Sequence, residues 1–551
     1  MPILPNRLLP LHRRLATAAV IAAFPYGIAT ASPQAAPATP PPPERDEIRV
    51  TLPASAATDL GLGEGGTSGR LLVFLIRDGA RVGRAEPMDA PFFRDPQPVF
   101  GLDVPEWKPG ETKVIDARSL GFPNSLDRLE GGFRVQAVLK RNRNGRGHLA
   151  PGNLFGGEAS AEFTIEGSER VELSIDRAVE DPAPPERANL RWIEFRSELL
   201  SRALGTEVKH RAGVVLPKDY ENLKAKRRHW PVIYVIPGFG GNHLDAVRIA
   251  ELMAAPRSEE VLPQAIHVVL DPEGPLGHHG FVDGPNVGPR GTALVSEFIP
   301  HLESRLRIVA KPEARIVTGH SSGGWSSLWL QLNHPETFGA CFASSPDPVD
   351  FSRFQRTDLY RDANLFTDVE GRETPSYREP LGPADDRVLM TVREEIGVEH
   401  VLGPRGDSGE QWGAWAAMFS SRDPATRMPV RAWDAETGAI DLAAVERDWS
   451  RFDIARLVAG DWKRFDPIFA GKVRLLCGDR DSFYLDRAVR SLREKIDTLR
   501  KRGAERGLAP AAGPGYIELI RDATHDGAAA TAALRWGREM REHLRRHALG
   551  D

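Results

Sequence analysis

At 551 residues the chain has room for two or three domains and a large core. Its 41% apolar and 27% charged residues suit a folded globular protein, and a formal net charge of −4 gives no footing for a broad nucleic-acid surface. Two cysteines, Cys341 and Cys477, exclude a disulfide framework and a CxxC zinc site; both read as buried thiols, with a single disulfide left open.

Residues 1–31 read as an export signal. Arg7, Arg13 and Arg14 make a basic start, Leu15 to Ile28 an apolar stretch broken by Pro25, and Ala29-Thr30-Ala31 a small-residue cleavage site. The stretch is shorter than the ~20 apolar residues that span a bilayer. Cleavage near Ala31 and export to the periplasm or the medium is therefore expected, with a membrane anchor as the alternative. No stable membrane insertion is expected elsewhere. Pro33, Pro37 and Pro40 to Pro43 stiffen residues 32–46 into an extended linker.

From about 47 to 180 apolar residues recur with period two, as in Phe133, Val135, Ala137 and Leu139, or Val171, Leu173 and Ile175. Further strands are expected at 47–53, 69–76, 97–104, 111–116 and 160–166, separated by Gly, Pro, Asn and Asp. This pattern predicts an antiparallel β-sandwich with no catalytic constellation of its own. Residues 181–190 are its exit linker.

Beyond 190, short apolar runs alternate with amphipathic helix-length segments, the signature of a mainly parallel α/β sheet extending to 551. Strands are expected at 212–216, 231–236, 265–270, 313–318, 339–344, 472–477 and 516–520. Helices are expected at about 243–255, 291–306, 322–333, 486–502 and 529–547. Residues 346–470 are too long for a crossover and read as a partly helical, tryptophan-bearing insertion. It either caps the sheet's C-terminal edge or packs at its side.

Between the strand ending at Thr318 and the helix starting at Ser322 lies Gly319-His320-Ser321-Ser322-Gly323. A turn this sharp needs glycines and exposes the Ser321 hydroxyl as a nucleophile. The Ser322 amide, at the helix start, is an oxyanion donor. A serine needs a base held by a third group, in the chain order Ser, acid, His. His525, in the loop after the last strand, is the candidate base. Asp479 and Asp481 follow the penultimate strand; Asp481 is preferred as the acid because it extends further, and Asp479 is the alternative. Pro237-Gly238-Phe239-Gly240-Gly241 follows an early strand, and its glycines allow close approach, so the Phe239 amide is the second oxyanion candidate.

These segments resemble the putative-esterase family of α/β-hydrolases, which includes enterochelin-esterase-like proteins, esterase D, feruloyl esterases and mycolyltransferases. The resemblance rests on Val232 to Gly241, Glu297-Phe298-Ile299-Pro300, Gly319 to Gly324, His334 to Gly339, Gly478-Asp479-Arg480-Asp481 and Thr524-His525-Asp526. It implies an α/β-hydrolase fold over about 190–547, an oxyanion hole from the Phe239 and Ser322 amides, and an acid at the fourth position of Gly-x-x-Asp, which is Asp481. The chain departs in Ser322, where many members carry another residue, and in the 346–470 insertion, so acyl and alcohol pockets do not carry over. The sandwich lies outside the resemblance.

The expected activity is hydrolysis of carboxylic esters through an acyl-enzyme, on a small-molecule or glycan-linked substrate. Carbohydrate- and siderophore-linked esters are candidates by analogy. No metal or organic cofactor is needed. His278, His279 and Asn286, in a loop after the 265–270 strand, are candidate substrate contacts; adjacent loop histidines chelate a metal poorly. Acyl transfer to a sugar or lipid acceptor is the enzymatic rival, and a non-catalytic glycan- or partner-binding protein the other class.

Overall fold

The computed structural model describes residues 45–547, apart from 64, 83–84, 91–92, 94, 165–166 and 383–384. The expected export signal and nearly all of the proline linker lie outside the described residues. The described residues from 45 to 547 fall in one compact unit. Among the described residues no helix is long and apolar enough to cross a membrane.

The first strands are β1 (Glu47–Thr51), β2 (Thr67–Arg77), β3 (Val99–Trp107), β4 (Thr112–Ile115), β5 (Leu120–Phe122), β6 (Gly131–Lys140), β7 (Leu154–Gly156), β8 (Ala159–Phe163) and β9 (Arg170–Ala178). They link in the order β4-β1-β9-β7-β6-β2-β3-β5, with β8 also on β6. The period-two residues behave as alternation requires: Leu71, Val73 and Leu75 of β2 and Phe133, Val135 and Ala137 of β6 share one buried core with Ile48 and Val171. Strand β9 pairs in parallel with β1 through Arg170–Ser174, then with β7 from Ile175 onward. This hand-over joins all nine strands into one hydrogen-bonded sheet. Strands β5 and β7 escape sequence reading because three residues are too few to show a period.

The second sheet comprises β10 (Leu190–Arg196), β11 (Lys209–Val215), β12 (Val232–Ile236), β13 (Ile266–Leu270), β18 (Arg315–His320), β19 (Ala340–Ser344), β22 (Val473–Gly478) and β23 (Tyr516–Ile520). Between β13 and β18 two small hairpins intervene, β14–β15 (Glu273–Gly274 and Gly277–His278) and β16–β17 (Asp283–Gly284 and Gly288–Pro289). The sheet order is β10-β11-β13-β12-β18-β19-β22-β23, antiparallel at its first edge and parallel from β13 onward. Strand β10 is missed by sequence reading because, as an edge strand, it carries Arg191, Glu194 and Arg196 among its apolar residues. Cys341 and Cys477 are free, buried thiols in β19 and β22.

Residues 346–470 contain the hairpin β20–β21 (Pro375–Gly382 and Asp385–Thr391) and several helices, including Val392–Leu402 and Gln411–Phe419. Trp412, Trp415, Trp433 and Trp449 are core rather than surface. Trp412 meets Trp415 edge-on at 5.1 Å and Trp433 at 5.3 Å, and Trp433 meets Trp449 at 5.6 Å. Such pairs contribute about 0.5–1.5 kcal/mol each beyond burial.

The outer face of the first sheet packs on this segment. Leu72 and Val99 bury against Val398, Val401 and Leu402. Buried Arg70 donates from Nε to the Val401 carbonyl at 2.6 Å and from Nη1 to Asp103 at 2.7 Å. Lys140 Nζ donates to the Asp407 carbonyl at 2.6 Å and the Ser408 carbonyl at 3.1 Å.

Candidate active site

Strand register decides where the site forms. Ile236, ending β12, pairs with Gly319 of β18, and His320 pairs with Ser344 of β19. The loops leaving these strands therefore emerge side by side. From β12 the chain moves to β13 on one side, then to β18 on the other. A reversal of this kind opens a crevice beyond the C-terminal strand ends.

Ser321 lies there at φ 58° and ψ −127°, a conformation that non-glycine residues rarely hold. Its flanking glycines are sterically required. A Cβ on Gly319 would sit 2.3 Å from the Gly323 backbone, and one on Gly323 would sit 2.0 Å from the Ile236 carbonyl oxygen. The helix Ser322–Asn333 follows at once, buried except at Trp329 and Asn333. Its buried hydroxyls are satisfied within the helix: Ser326 Oγ donates to the Ser322 carbonyl and Ser327 Oγ to the Gly323 carbonyl, both at 2.7 Å.

His525 begins the last helix, and its Nδ1 donates to Asp481 Oδ2 at 2.7 Å. That fixes the tautomer and leaves Nε2 to accept a proton. Burial alone would raise the Asp481 carboxyl. The charge and hydrogen bond of His525 and the Phe483 amide outweigh it and hold Asp481 below the usual range. Burial would likewise depress His525, but the Asp481 charge and hydrogen bond, with smaller pushes from Asp526 and Asp347, raise it above 6.5. Asp479 is engaged elsewhere: its Oδ1 accepts the Asp522 amide at 2.8 Å, bracing the loop before His525.

Ser321 and His525 line one cavity of about 250 Å³ together with Gly238 and Phe239. A Cβ on Gly238 would lie 3.1 Å from the His320 carbonyl oxygen and 3.4 Å from Ser321 Cβ. Glycine thus lets the 237–241 loop press onto the turn that carries Ser321. Gly240 has φ 84°, a second position suited to glycine. His320 also lines the cavity, 4.3 Å from the His525 ring, and burial, with help from His525, pushes its pKa down to about 3.

The facing wall was not predicted residue by residue. Asp347, Gln355, Glu395, Gln411 and Trp415 all come from the 346–470 segment. Asp347 Oδ2 accepts from Ser322 Oγ at 2.7 Å, Trp415 Nε1 at 2.8 Å and Gln411 Nε2 at 3.3 Å. Burial nevertheless raises the Asp347 carboxyl, and it pushes Glu395, hydrogen-bonded to Ser376, up to about 7. Phe93, between β2 and β3, completes the wall, 5.4 Å from the Phe483 ring. The tryptophan-rich composition was the only signal for this side. Among the described residues lining the cavity none is Lys or Arg.

The three candidate substrate contacts need correction. His278, His279 and Asn286 are buried and do not line this cavity. His278 Nδ1 accepts the Gly280 amide at 3.1 Å, which leaves Nε2–H to donate to the Pro237 carbonyl at 3.1 Å. Burial pushes its pKa down to about 4. His279 packs edge-on against Phe281 at 4.6 Å, and Asn286 Nδ2 donates to the Ser420 carbonyl at 2.9 Å. Their loop does follow a strand at the site, but the intervening hairpins fold it inward. Among the described residues no group of three His, Cys, Asp or Glu is arranged to hold a metal ion.

Residues 201–430 match the Putative esterase family. Esterase Rv1288 of Mycobacterium tuberculosis (strain H37Rv) is 32% identical over 163 residues, which is 28% of this chain and 30% of that protein. The match therefore spans less than a third of that relative's length. Among solved structures, a ferulic acid esterase aligns at 17% identity and TM-score 0.36, covering 64% of this chain and 98% of the other. An S-formylglutathione hydrolase from Agrobacterium tumefaciens aligns at 14% identity and TM-score 0.34, covering 66% and 99%.

Proposed function

We propose that the protein is a serine esterase that cleaves carboxylic esters through an acyl-enzyme, a reading supported by the match of residues 201–430 to the Putative esterase family. One observation carries this reading: Ser321, held at positive φ, shares a cavity with His525, whose Nδ1 is bound to buried Asp481. His525 Nε2 takes the Ser321 proton as Oγ attacks the ester carbonyl. The Phe239 and Ser322 amides receive the oxyanion, and Asp481 stabilises the imidazolium. His525 then protonates the leaving alcohol, and water, activated in the same way, releases the acid.

Residues 346–470 act as a cap, supplying the wall that faces Ser321. Residues 47–180 act as a sandwich-type module that supports the cap, its layers joined through β9. Residues 1–31 direct export, a reading supported by their basic start and small-residue cleavage site. The experiment is a panel of acetyl, feruloyl and longer-chain p-nitrophenyl esters. Saturable turnover of at least one is expected, and turnover of none contradicts the reading.

A further inference from the structure

The loop that carries the Phe239 amide contains Gly238, Gly240 and Gly241; one backbone hydrogen bond, from the Gly241 amide to the Gly238 carbonyl at 3.0 Å, closes it, and its glycines bring no side chains to pack. One side is tied down by His278, through the Pro237 carbonyl. The other side is met by a residue from the first β-rich region. Arg146, between β6 and β7, places its guanidinium 4.6 Å from the centre of the Phe239 ring. Its Nε lies 2.8 Å from Glu273, in the hairpin after β13, and its Nη1 lies 3.7 Å from Glu410, in the 346–470 segment. Gly409 lets the arginine stem pass, since a Cβ there would sit 3.0 Å from Arg146 Cγ.

Arg146 therefore meets three regions at one point, and its guanidinium carbon lies over the ring of the residue whose amide is assigned to the oxyanion. We propose that Arg146 is a positioning residue: it clamps the Phe239 loop in its oxyanion-binding geometry and makes the N-terminal β-rich region part of the catalytic apparatus. This rests on the esterase reading above. A guanidinium over an aromatic face is attractive, and it suits a fixed, flat contact better than a flexible ammonium does. Glu273 and Glu410 then give the guanidinium two carboxylate partners. Burial already pushes Glu273 up to about 7 despite the Arg146 charge, so losing the arginine leaves that carboxyl without its cation. An amide displaced by even a fraction of an ångström weakens oxyanion binding while leaving the remainder of the cavity unchanged.

The test uses the full chain and p-nitrophenyl ester kinetics for Arg146→Met and Arg146→Lys, each alone and with Phe239→Leu, which keeps the amide and removes the ring. Arg146→Met is expected to lower kcat about tenfold with KM within about twofold, and Arg146→Lys to fall between it and the parent. In the Phe239→Leu background the same substitutions are expected to cost no more than about twofold, because the surface Arg146 presses on is gone. A parental kcat for Arg146→Met, or equal losses in both backgrounds, overturns the proposal and leaves Arg146 a structural ion pair. Should Arg146→Met fail to fold, Arg146→Lys in the two backgrounds decides by the same comparison. If the parent protein neither turns over an ester nor reacts with a fluorophosphonate, the esterase reading itself fails and this inference falls with it.

Discussion

On the sheet side of the cavity, Ser321 is positioned by backbone: a positive φ, flanking glycines with no room for a Cβ, and strands whose ends pair in register. In the wall supplied by the 346–470 segment, Gln411 and Trp415 are held by side chain, through hydrogen bonds that join the one from Ser322 Oγ on a single Asp347 carboxylate oxygen. Backbone constraints tolerate no substitution but fix geometry closely. Side-chain networks can be rebuilt residue by residue. The sheet side should therefore govern whether chemistry occurs, and the facing side which ester is taken.

Substitutions that break this division are expected to rank accordingly. Asp481→Asn leaves His525 without its acceptor and its charge partner, and kcat should fall by roughly 10³–10⁴-fold. The same variant carries a pH signature. His525 must be neutral to act as a base, and its pKa is raised above the ordinary 6.5, so kcat/KM of the parent should rise with pH along a limb centred above 6.5. Without the Asp481 charge, burial dominates, and the rising limb should move to lower pH. A pH–rate profile checks both.

Gly323→Ala tests the backbone side by packing alone. Its Cβ has backbone oxygen at 2.0 Å, so thermal unfolding should report a loss of about 1–3 kcal/mol, together with most of the activity. The facing side predicts smaller, selective effects. With Asp347 and Glu395 in the wall and no cation among the described lining residues, a neutral butyrate ester should be preferred over the matched anionic hemisuccinate by about tenfold. That preference should widen as pH rises past about 7, where Glu395 loses its proton. Trp415→Phe keeps an aromatic ring, though a smaller one, and removes one donor to Asp347, and a rise of a few-fold in KM with little change in kcat is expected from the loss of about 1 kcal/mol.

The same division explains what could be read from sequence. Gly319, Ser321 and Gly323 are legible because the turn's sterics dictate residue type at fixed spacing. His525 and Asp481 follow from their places after the last two strands, and the 2.7 Å contact brings together the pair preferred over Asp479. The strands with clear period-two or apolar runs were legible within a few residues. Asp347, Gln355 and Glu395 were not, because side-chain convergence across a long insertion leaves no local pattern. Phe93 was invisible because it reaches the cavity from a loop of the N-terminal β-rich region, and Arg146 reads as one more surface charge until Phe239 is seen beneath it. His278 and His279 misled because loop position predicts nearness to the site but not the direction of burial.

The central claim is that Ser321 is the nucleophile, and covalent labelling tests it most directly. A fluorophosphonate probe incubated with the parent protein, followed by peptide mass spectrometry, should place a single adduct on Ser321. Ser321→Ala should fold with an unchanged circular dichroism spectrum and take up no probe. An adduct on another residue, or labelling that persists in folded Ser321→Ala, would contradict the account.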